Sequence, residues 1–218
     1  LGLAFTVIKQ KQDYSKVPAY HSGDANFRIK TSKTGMLKYY GYFSSNKLAF
    51  TTNSIDSSGY LDKFAISNTN IYHNLAWKEN LAKRWKINLG VSYTNNKDDI
   101  SGGMQDINKN DVVLGNLEFK KFNINTKGNY FNAKAVLEKK LKGLSAVRFG
   151  TEYNSTNDKS IYTDYNNQAY TDTISGHINA VFGEADVYAT NALALKGGFR
   201  IERSSQLDKT NIAPRFSI

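Results

Sequence analysis

Apolar and polar residues alternate strictly along several segments of this chain, and the pattern is clearest over Leu193–Glu202. Odd-numbered positions there are apolar or glycine, whereas the even-numbered ones include Lys196, Arg200 and Glu202. Successive side chains of a β-strand point to opposite faces, so this strand has one apolar and one charged face. The charged face is too polar for a dry core. The pattern is the one that a β-barrel immersed in a bilayer requires, because lipid-facing and lumen-facing residues alternate along each strand.

The same alternation recurs over Ala146–Tyr153 and Lys86–Tyr93, and more briefly around Phe27 and Ile29. Together these segments and weaker ones predict about ten strands. The predicted strands are Leu1–Lys9, Asp24–Ser32, Met36–Thr52, Phe64–Lys78, Arg84–Asn95, Tyr130–Leu141, Ser145–Ser155, Ile174–Thr190, Leu193–Ser204 and Ile212–Ile218.

Short and long connections alternate between these predicted strands. The short turns are Lys33–Gly35, Glu79–Lys83, Lys142–Leu144 and Asn191–Ala192, and the longer polar connections are Gln10–Gly23, Asn53–Lys63, Asn96–Asn129, Thr156–Thr173 and Ser205–Asn211. In an up-and-down barrel alternate connections share a rim, and in bacterial outer-membrane barrels the short ones are periplasmic. The sequence therefore predicts an all-β fold, an antiparallel up-and-down transmembrane β-barrel.

No linker or change of composition divides the chain, so residues 1–218 are predicted to form a single domain. Leu1 and Ile218 both fall inside alternating segments, and we therefore expect the chain to be part of a larger barrel. We expect no plug domain and no signal peptide within it. No run of 18 apolar residues is present that would form a transmembrane helix.

Aromatic residues occur where the interfacial girdles of a barrel are expected. Trp77 and Trp85 flank one predicted short turn, and Tyr93 and Tyr153 lie at the far ends of predicted strands. Tyr and Trp also stabilise soluble sheets, so the alternative of a soluble sheet stays open at this point.

Three segments have less regular patterns. Leu137–Leu144 and Glu184–Lys196 contain helix-forming residues, but the flanking alternation favours strand ends and turns. Asp111–Lys127 lacks clean periodicity and is interpreted as a loop hairpin that extends beyond the membrane.

The formal net charge of +10 raises the question of nucleic acid as a partner. The basic residues are spread over nearly every strand and loop, whereas nucleic-acid binders concentrate them on one patch or module. We therefore expect no nucleic-acid partner. The chain has no cysteine, so neither a disulfide nor a thiolate metal site is possible.

Motifs for catalysis or metal binding are weak. His21, His73 and His177 show no metal-ligand spacing. Glu152 and Glu202 resemble a carboxylate pair for acid–base work only superficially, because lumen-facing carboxylates beside arginines are expected to compensate charge. We predict that the chain is not an enzyme and binds no cofactor.

A calcium loop begins but is not completed after Asp106. Asp106, Asn108 and Asn110 match the start of such a loop, but Asp111 occupies the position that requires glycine and Glu118 lies one place beyond the bidentate ligand. We therefore predict a solvated polar loop and no metal site.

Two motifs resemble the barrel of TonB-dependent outer-membrane receptors. The segment Gly197–Phe216 (GGFRIERSSQLDKTNIAPRF) contains a G-x-R-x-E strand, at Gly198, Arg200 and Glu202, followed by the strand start N-x-A-P-R. The hairpin Lys33–Phe50 (KTGMLKYYGYFSSNKLAF) is similar to one of the same family, in particular of its Bacteroidetes members.

The resemblance implies a 22-stranded barrel that is closed by a plug domain. It also implies a bacterial outer-membrane location and energy-dependent uptake of a nutrient, such as a metal chelate or a glycan, with the plug, TonB, the solute and outer-membrane lipid as partners. Alternatives are a passive porin-like barrel complete at about ten strands, and a soluble all-β carbohydrate-binding module.

The residues predicted to face the lumen are Arg28, Lys30, Lys134, Arg148, Glu152, Lys196, Arg200 and Glu202. The predicted ligand-loop residues are Tyr162, Tyr165 and Tyr170, whose rings can stack on a sugar or pack within their own loop.

Overall fold

The computed structural model describes residues 13–188, 190 and 193–218, which form one antiparallel sheet of ten strands. The strands are β1 (Asp13–Lys30), β2 (Met36–Asn53), β3 (Tyr60–Asn80), β4 (Trp85–Asp106), β5 (Asp111–Val112), β6 (Phe122–Lys140), β7 (Ala146–Thr163), β8 (Ala169–Tyr188), β9 (Ala194–Ser204) and β10 (Lys209–Ser217). A single 3₁₀ turn, Glu118–Lys120, precedes β6. The predicted all-β, up-and-down architecture is confirmed.

The strands pair in chain order from β1 to β10, except that the short β5 pairs only with β4 and lies off the main path. The pairing of β3 with β4 runs without a shift of register from Tyr60 opposite Asp106 to Asn80 opposite Lys86. The other ladders from β2 to β10 are likewise unshifted, whereas the ladder of β1 with β2 shifts between Tyr14 and Ala19. Because the side-chain period of a strand is two, the unshifted ladders keep each face of the sheet the same from strand to strand. No helix in the described part of the chain is long and apolar enough to cross a membrane.

Nine of the predicted strands correspond to β1–β4 and β6–β10, and the tenth, Leu1–Lys9, lies outside the described residues. The turn predicted at Asn191–Ala192 also lies outside them. Leu137–Leu144 supplies the end of β6, and Glu184–Lys196 supplies the end of β8 and the start of β9, as the alternation favoured.

The predicted long connections are wrong in their length, because the strands extend further into them than predicted. Residues 96–106 continue β4, residues 122–129 begin β6, and the predicted loop Thr156–Thr173 is strand except for residues 164–168. Residues 13–23 likewise belong to β1. The error has a physical cause. Where a strand continues beyond the membrane into water, the face that would otherwise contact lipid is polar. The strand then lacks the apolar/polar alternation from which strands were predicted. In the described residues only the connection 107–121 is long.

The two faces of the sheet are named here for residues that point to them, the Phe149 face and the Arg148 face. No second layer covers the Phe149 face within residues 13–188, 190 and 193–218, and Phe149 and Phe199 are 53% and 47% exposed. A soluble sandwich would bury these rings in a dry core. The soluble carbohydrate-binding alternative is therefore not supported by the fold.

Candidate functional site

The Phe149 face is apolar between two levels of aromatic residues. Trp77 and Trp85 lie near the turn end, where residues 31–35, 81–84 and 141–145 connect the strands, and Tyr93 lies toward the opposite, loop end. Eight residue steps separate Trp85 from Tyr93, about 26 Å along the strand. At the usual barrel tilt this is roughly 20 Å across the membrane, close to the apolar band of outer-membrane barrels. Band members include Leu75, Ile87, Leu89, Val91, Ala133, Ala135, Leu137, Val147, Val181 and Ile201.

The aromatic row at the upper limit of this band crosses several strands. The rings of Tyr39 and His73 stack with centroids 6.0 Å apart, and the tyrosine hydroxyl lies 2.7 Å from Nδ1 of the histidine. Tyr153 lies 6.1 Å from Phe131 and 6.0 Å from His177, again between ring centroids. Such rings combine an apolar body with a polar tip and suit a membrane–water interface. Two of the three histidines thus belong to this row.

On the Arg148 face, the guanidinium of Arg148 holds three carboxylates. Nε lies 2.8 Å from Glu138, and Nη1 lies 2.8 Å from Glu184 and 2.6 Å from Asp186. Lys196 approaches the last two carboxylates at 3.7 and 3.8 Å. The register brings these groups together, because Glu138, Arg148 and Glu184 lie directly opposite one another on β6, β7 and β8.

A second ionic cluster lies beside the first on the same face. Arg200 binds Glu202 through Nε at 2.9 Å and Glu152 through Nη1 at 3.2 Å. Lys134 lies 3.7 Å from Glu152 and 5.4 Å from the ring centroid of Phe182. An arginine therefore bridges the two glutamates that resembled an acid–base pair, and their contacts are those of charge compensation.

Toward the turn end, the Arg148 face of β1–β4 has cations without matching carboxylates. Arg28 and Lys38 lie directly opposite each other in the β1–β2 ladder. Lys86 is opposite Glu138 in register, but that carboxylate binds Arg148. The other cations of this group are Lys30 and Lys78. No member of the group forms an ion pair with any residue that the structure describes, so the turn-end part of this half of the face has excess positive charge.

Beyond the aromatic row, toward the loop end, the Arg148 face carries one row of apolar residues between polar ones. Six directly opposed residues form an apolar row on the Arg148 face, and they are Leu48, Ile66, Ile100, Ile124, Tyr162 and Tyr170. The rings of Tyr162 and Tyr170 lie 6.2 Å apart, and Phe122 stacks on Tyr162 at 6.4 Å. Tyr162 and Tyr170 were predicted in a loop but lie on strands β7 and β8. The predicted loop position is correct only for Tyr165.

The connection 107–121 folds over the Arg148 face at the loop end. A Cβ on Gly102 of β4 would lie 2.9 Å from the carbonyl oxygen of Lys120, which shows how closely the 3₁₀ turn packs on the sheet. Lys120, 15% exposed, binds Asp56 at 2.6 Å and Asp62 at 2.8 Å. The carboxylates of Asp56 and Asp62 raise the pKa of the Lys120 ammonium.

The 3₁₀ turn also contacts the β7–β8 turn. Lys121 donates from Nζ to the carbonyl oxygen of Tyr165 at 3.1 Å. A hydrogen bond to Glu118 raises the pKa of the Tyr165 hydroxyl. The connection is therefore fastened on both sides, to residues 54–62 and to residues 164–168, and forms part of the rim.

The carboxylate of Asp106, which begins the incomplete calcium loop, is occupied by its own turn. It accepts hydrogen bonds from the side chain of Asn110 at 3.0 Å and from the backbone N–H groups of Asn110 and Asn108 at 2.8 and 2.9 Å. These donors hold its pKa below the ordinary value.

All eight residues predicted to face the lumen lie on the Arg148 face, in two separate charged regions. The sequence does not predict a role for Glu184 and Asp186, or for the four aliphatic members of the apolar row, Leu48, Ile66, Ile100 and Ile124. The sequence does indicate that Glu184 and Asp186 share a face, because they occupy alternate positions of one strand. The partner strand and its register were needed to place Arg148 between them.

An antiparallel up-and-down sheet with an apolar band, aromatic borders and an ionic opposite face defines the class of transmembrane β-barrels. The family described as TonB dependent receptor-like, β-barrel, matches residues 10–218, and the chain belongs to that family. A search of curated proteins finds no match. Barrels of this family are transporters rather than enzymes and lie in the bacterial outer membrane, and the family supports an outer-membrane receptor or transporter role for the chain. The Bacteroidetes resemblance stays a prediction.

Proposed function

We propose that the chain forms part of the wall of an outer-membrane receptor that takes up a nutrient by an energy-dependent mechanism, with a plug domain and TonB as partners. The observation that carries the proposal is the segregation of the two faces between the aromatic levels. The Phe149 face contacts acyl chains, and the Arg148 face lines the lumen. The turn end is periplasmic, because the strands continue far beyond the aromatic row only at the loop end.

The charges of the lumen face favour transport of a solute with anionic or oxygen-rich groups, such as a metal chelate or an acidic glycan. The clusters around Arg148 and Arg200 are internally compensated. The cations of β1–β4, Arg28 and Lys38 among them, are not, and a surface lined by one sign of charge raises the local concentration of counter-ions. Passage along this half of the wall is therefore favoured for anions.

The tyrosine rings at the loop end of the lumen face are suited to bind a ligand that contains a ring with an apolar face. Tyr162 and Tyr170 are 38% and 55% exposed and stand beside Ile124 in the apolar row. Sugar rings and aryl groups of chelators both present faces that stack on tyrosine. Tyr165 lies in the adjacent turn and is held to the rim, so we assign it a positioning role.

The membrane orientation is tested by cysteine labelling in the complete receptor, since this chain contributes no cysteine of its own. Phe149→Cys is expected to react with a bilayer-restricted maleimide and to resist a water-soluble one. Asn88→Cys, on the opposite face of the same sheet, is expected to react only with the water-soluble reagent. Equal labelling of both sites by both reagents would contradict the proposal.

Transport is tested by uptake of candidate metal chelates and glycans into cells that express the receptor. We expect uptake that stops when the proton-motive force is dissipated. For Tyr162→Ala/Tyr170→Ala we expect an increase of about 30-fold in the apparent KM, since each of the two stacked rings contributes about 1 kcal/mol. Uptake that persists without the proton-motive force would favour the alternative of a passive porin-like barrel.

A further inference from the structure

Three lysines form a straight row across the Phe149 face, above its apolar band. Lys97 of β4 is directly opposite Lys127 of β6, and Lys127 is directly opposite Lys159 of β7. All three side chains are exposed. Neighbouring strands are about 4.8 Å apart, so the three ammonium groups can converge on one site.

The row has no internal counter-charge. Within residues 13–188, 190 and 193–218 none of the three lysines forms an ion pair. Asp99 is a neighbouring carboxylate on the same face, but it accepts a hydrogen bond from Asn123 at 3.1 Å and is not within ion-pair distance of the row. Like charges directly opposite each other destabilise a sheet, so an external anion would relieve a repulsion that is built into the fold.

The level of the row relative to the membrane indicates which anion. Lys97 lies four residues beyond Tyr93, about 13 Å along the strand and roughly 10 Å further from the bilayer centre at the usual tilt. The aromatic row marks the border of the hydrocarbon, and the next several ångströms contain the lipid headgroups. Flexible lysine side chains can extend toward charges at that level.

We propose that Lys97, Lys127 and Lys159 bind the phosphate groups of an outer-leaflet glycolipid headgroup. Ammonium groups make short, charge-assisted hydrogen bonds to phosphate oxygens, and three of them can neutralise one or two phosphates. A soluble anion could bind at any height on the sheet, so the position of the three lysines at the headgroup level favours a lipid. The proposal rests on the membrane orientation of the two faces and is independent of which solute is transported.

The experiment uses the complete receptor reconstituted in vesicles of a neutral phospholipid, with fluorescent bisphosphorylated lipid A as the probe. The variant Lys97→Gln/Lys127→Gln/Lys159→Gln is expected to bind the probe more weakly by about fivefold per lysine, on the order of 100-fold in all. The variant with arginine at all three positions is expected to retain binding. Dephosphorylated lipid A is expected to bind wild type and the glutamine variant equally weakly.

A matched control removes the same charge at the other rim. Lys33, Lys83 and Lys142 are exposed lysines in the turns 31–35, 81–84 and 141–145 at the turn end, and their replacement by glutamine is expected to leave lipid A binding unchanged. Equal loss in this control would show an effect of total charge and overturn the proposal. It would also be overturned if phosphorylated and dephosphorylated lipid bind alike, or if inorganic phosphate competes at the row as well as the lipid does. Nutrient uptake, measured in parallel, reports separately on the proposed function.

Discussion

Glu138 and Arg148 lie directly opposite each other in the β6–β7 ladder, joined by a 2.8 Å contact between Oε2 and Nε. The same guanidinium also binds Glu184 and Asp186. Replacement of Arg148 by methionine would leave three carboxylates facing one another without a cation at their centre. We expect a loss of about 1–3 kcal/mol in the free energy of unfolding, below the range for fully buried pairs because the guanidinium side chain is 29% exposed. Urea unfolding of the complete receptor in vesicles measures it.

The control for this prediction is Arg203→Met. Arg203 binds Asp208 at 2.6 Å, but the two side chains are 62% and 83% exposed, so little stability depends on the pair. Equal effects of the two substitutions would show that the Arg148 cluster contributes no more than a surface ion pair.

A lysine at position 149 tests the lipid contact of the Phe149 face. Phe149→Lys places a charge in the apolar band and is expected to cost about 2–4 kcal/mol of folding into a bilayer. Val136→Lys, at nearly the same level but on the Arg148 face, is expected to be tolerated because that face is hydrated. Folding yield and urea midpoints in vesicles distinguish the two variants, and equal destabilisation would contradict the assignment of the faces.

Lys120 is expected to hold the connection 107–121 against the rim. In Lys120→Met, Asp56 and Asp62 lose their shared cation, and limited proteolysis between residues 107 and 121 is expected to become several-fold faster because the connection opens more often. Lys109→Met is the control in the same connection, since the pair Lys109–Asp13 is more than half exposed on both sides. An unchanged cleavage rate in Lys120→Met would show that packing alone fastens the segment.

Glu79 is expected to make the β1–β2 turn sensitive to acid. Hydroxyl groups of Thr34 and Ser32 donate to its carboxylate at 2.5 and 2.7 Å and hold the pKa of Glu79 below its ordinary value. Because the folded pKa is lowered, the contact contributes fully above the ordinary glutamate pKa of about 4.3 and is lost as the pH falls through the folded pKa. In Thr34→Val the pKa is expected to rise toward the ordinary value, which a carboxyl ¹³C NMR titration measures; an unchanged pKa would contradict the role of this hydroxyl.

The sequence predicted the fold well where lipid and water act on opposite sides of the strands. Leu89, Phe149 and Phe199 alternate with polar residues because one side must be apolar and the other hydrated. The alternation disappears where both sides of the sheet meet water or where the inner side becomes apolar. That is why residues 96–106 and 156–163 were interpreted as loop although they continue β4 and β7.

The sequence by itself determined the class of fold, the direction of each side chain within its own strand, and which residues carry charge. Only the tertiary structure decided the register between strands. Register placed Arg148 among carboxylates from two other strands, aligned Ile66, Ile100 and Ile124 into one apolar row, and set Lys97, Lys127 and Lys159 side by side. The physical reason is that period two is a property of one chain segment, whereas contacts across a ladder depend on hydrogen-bond pairing between segments that are far apart in sequence.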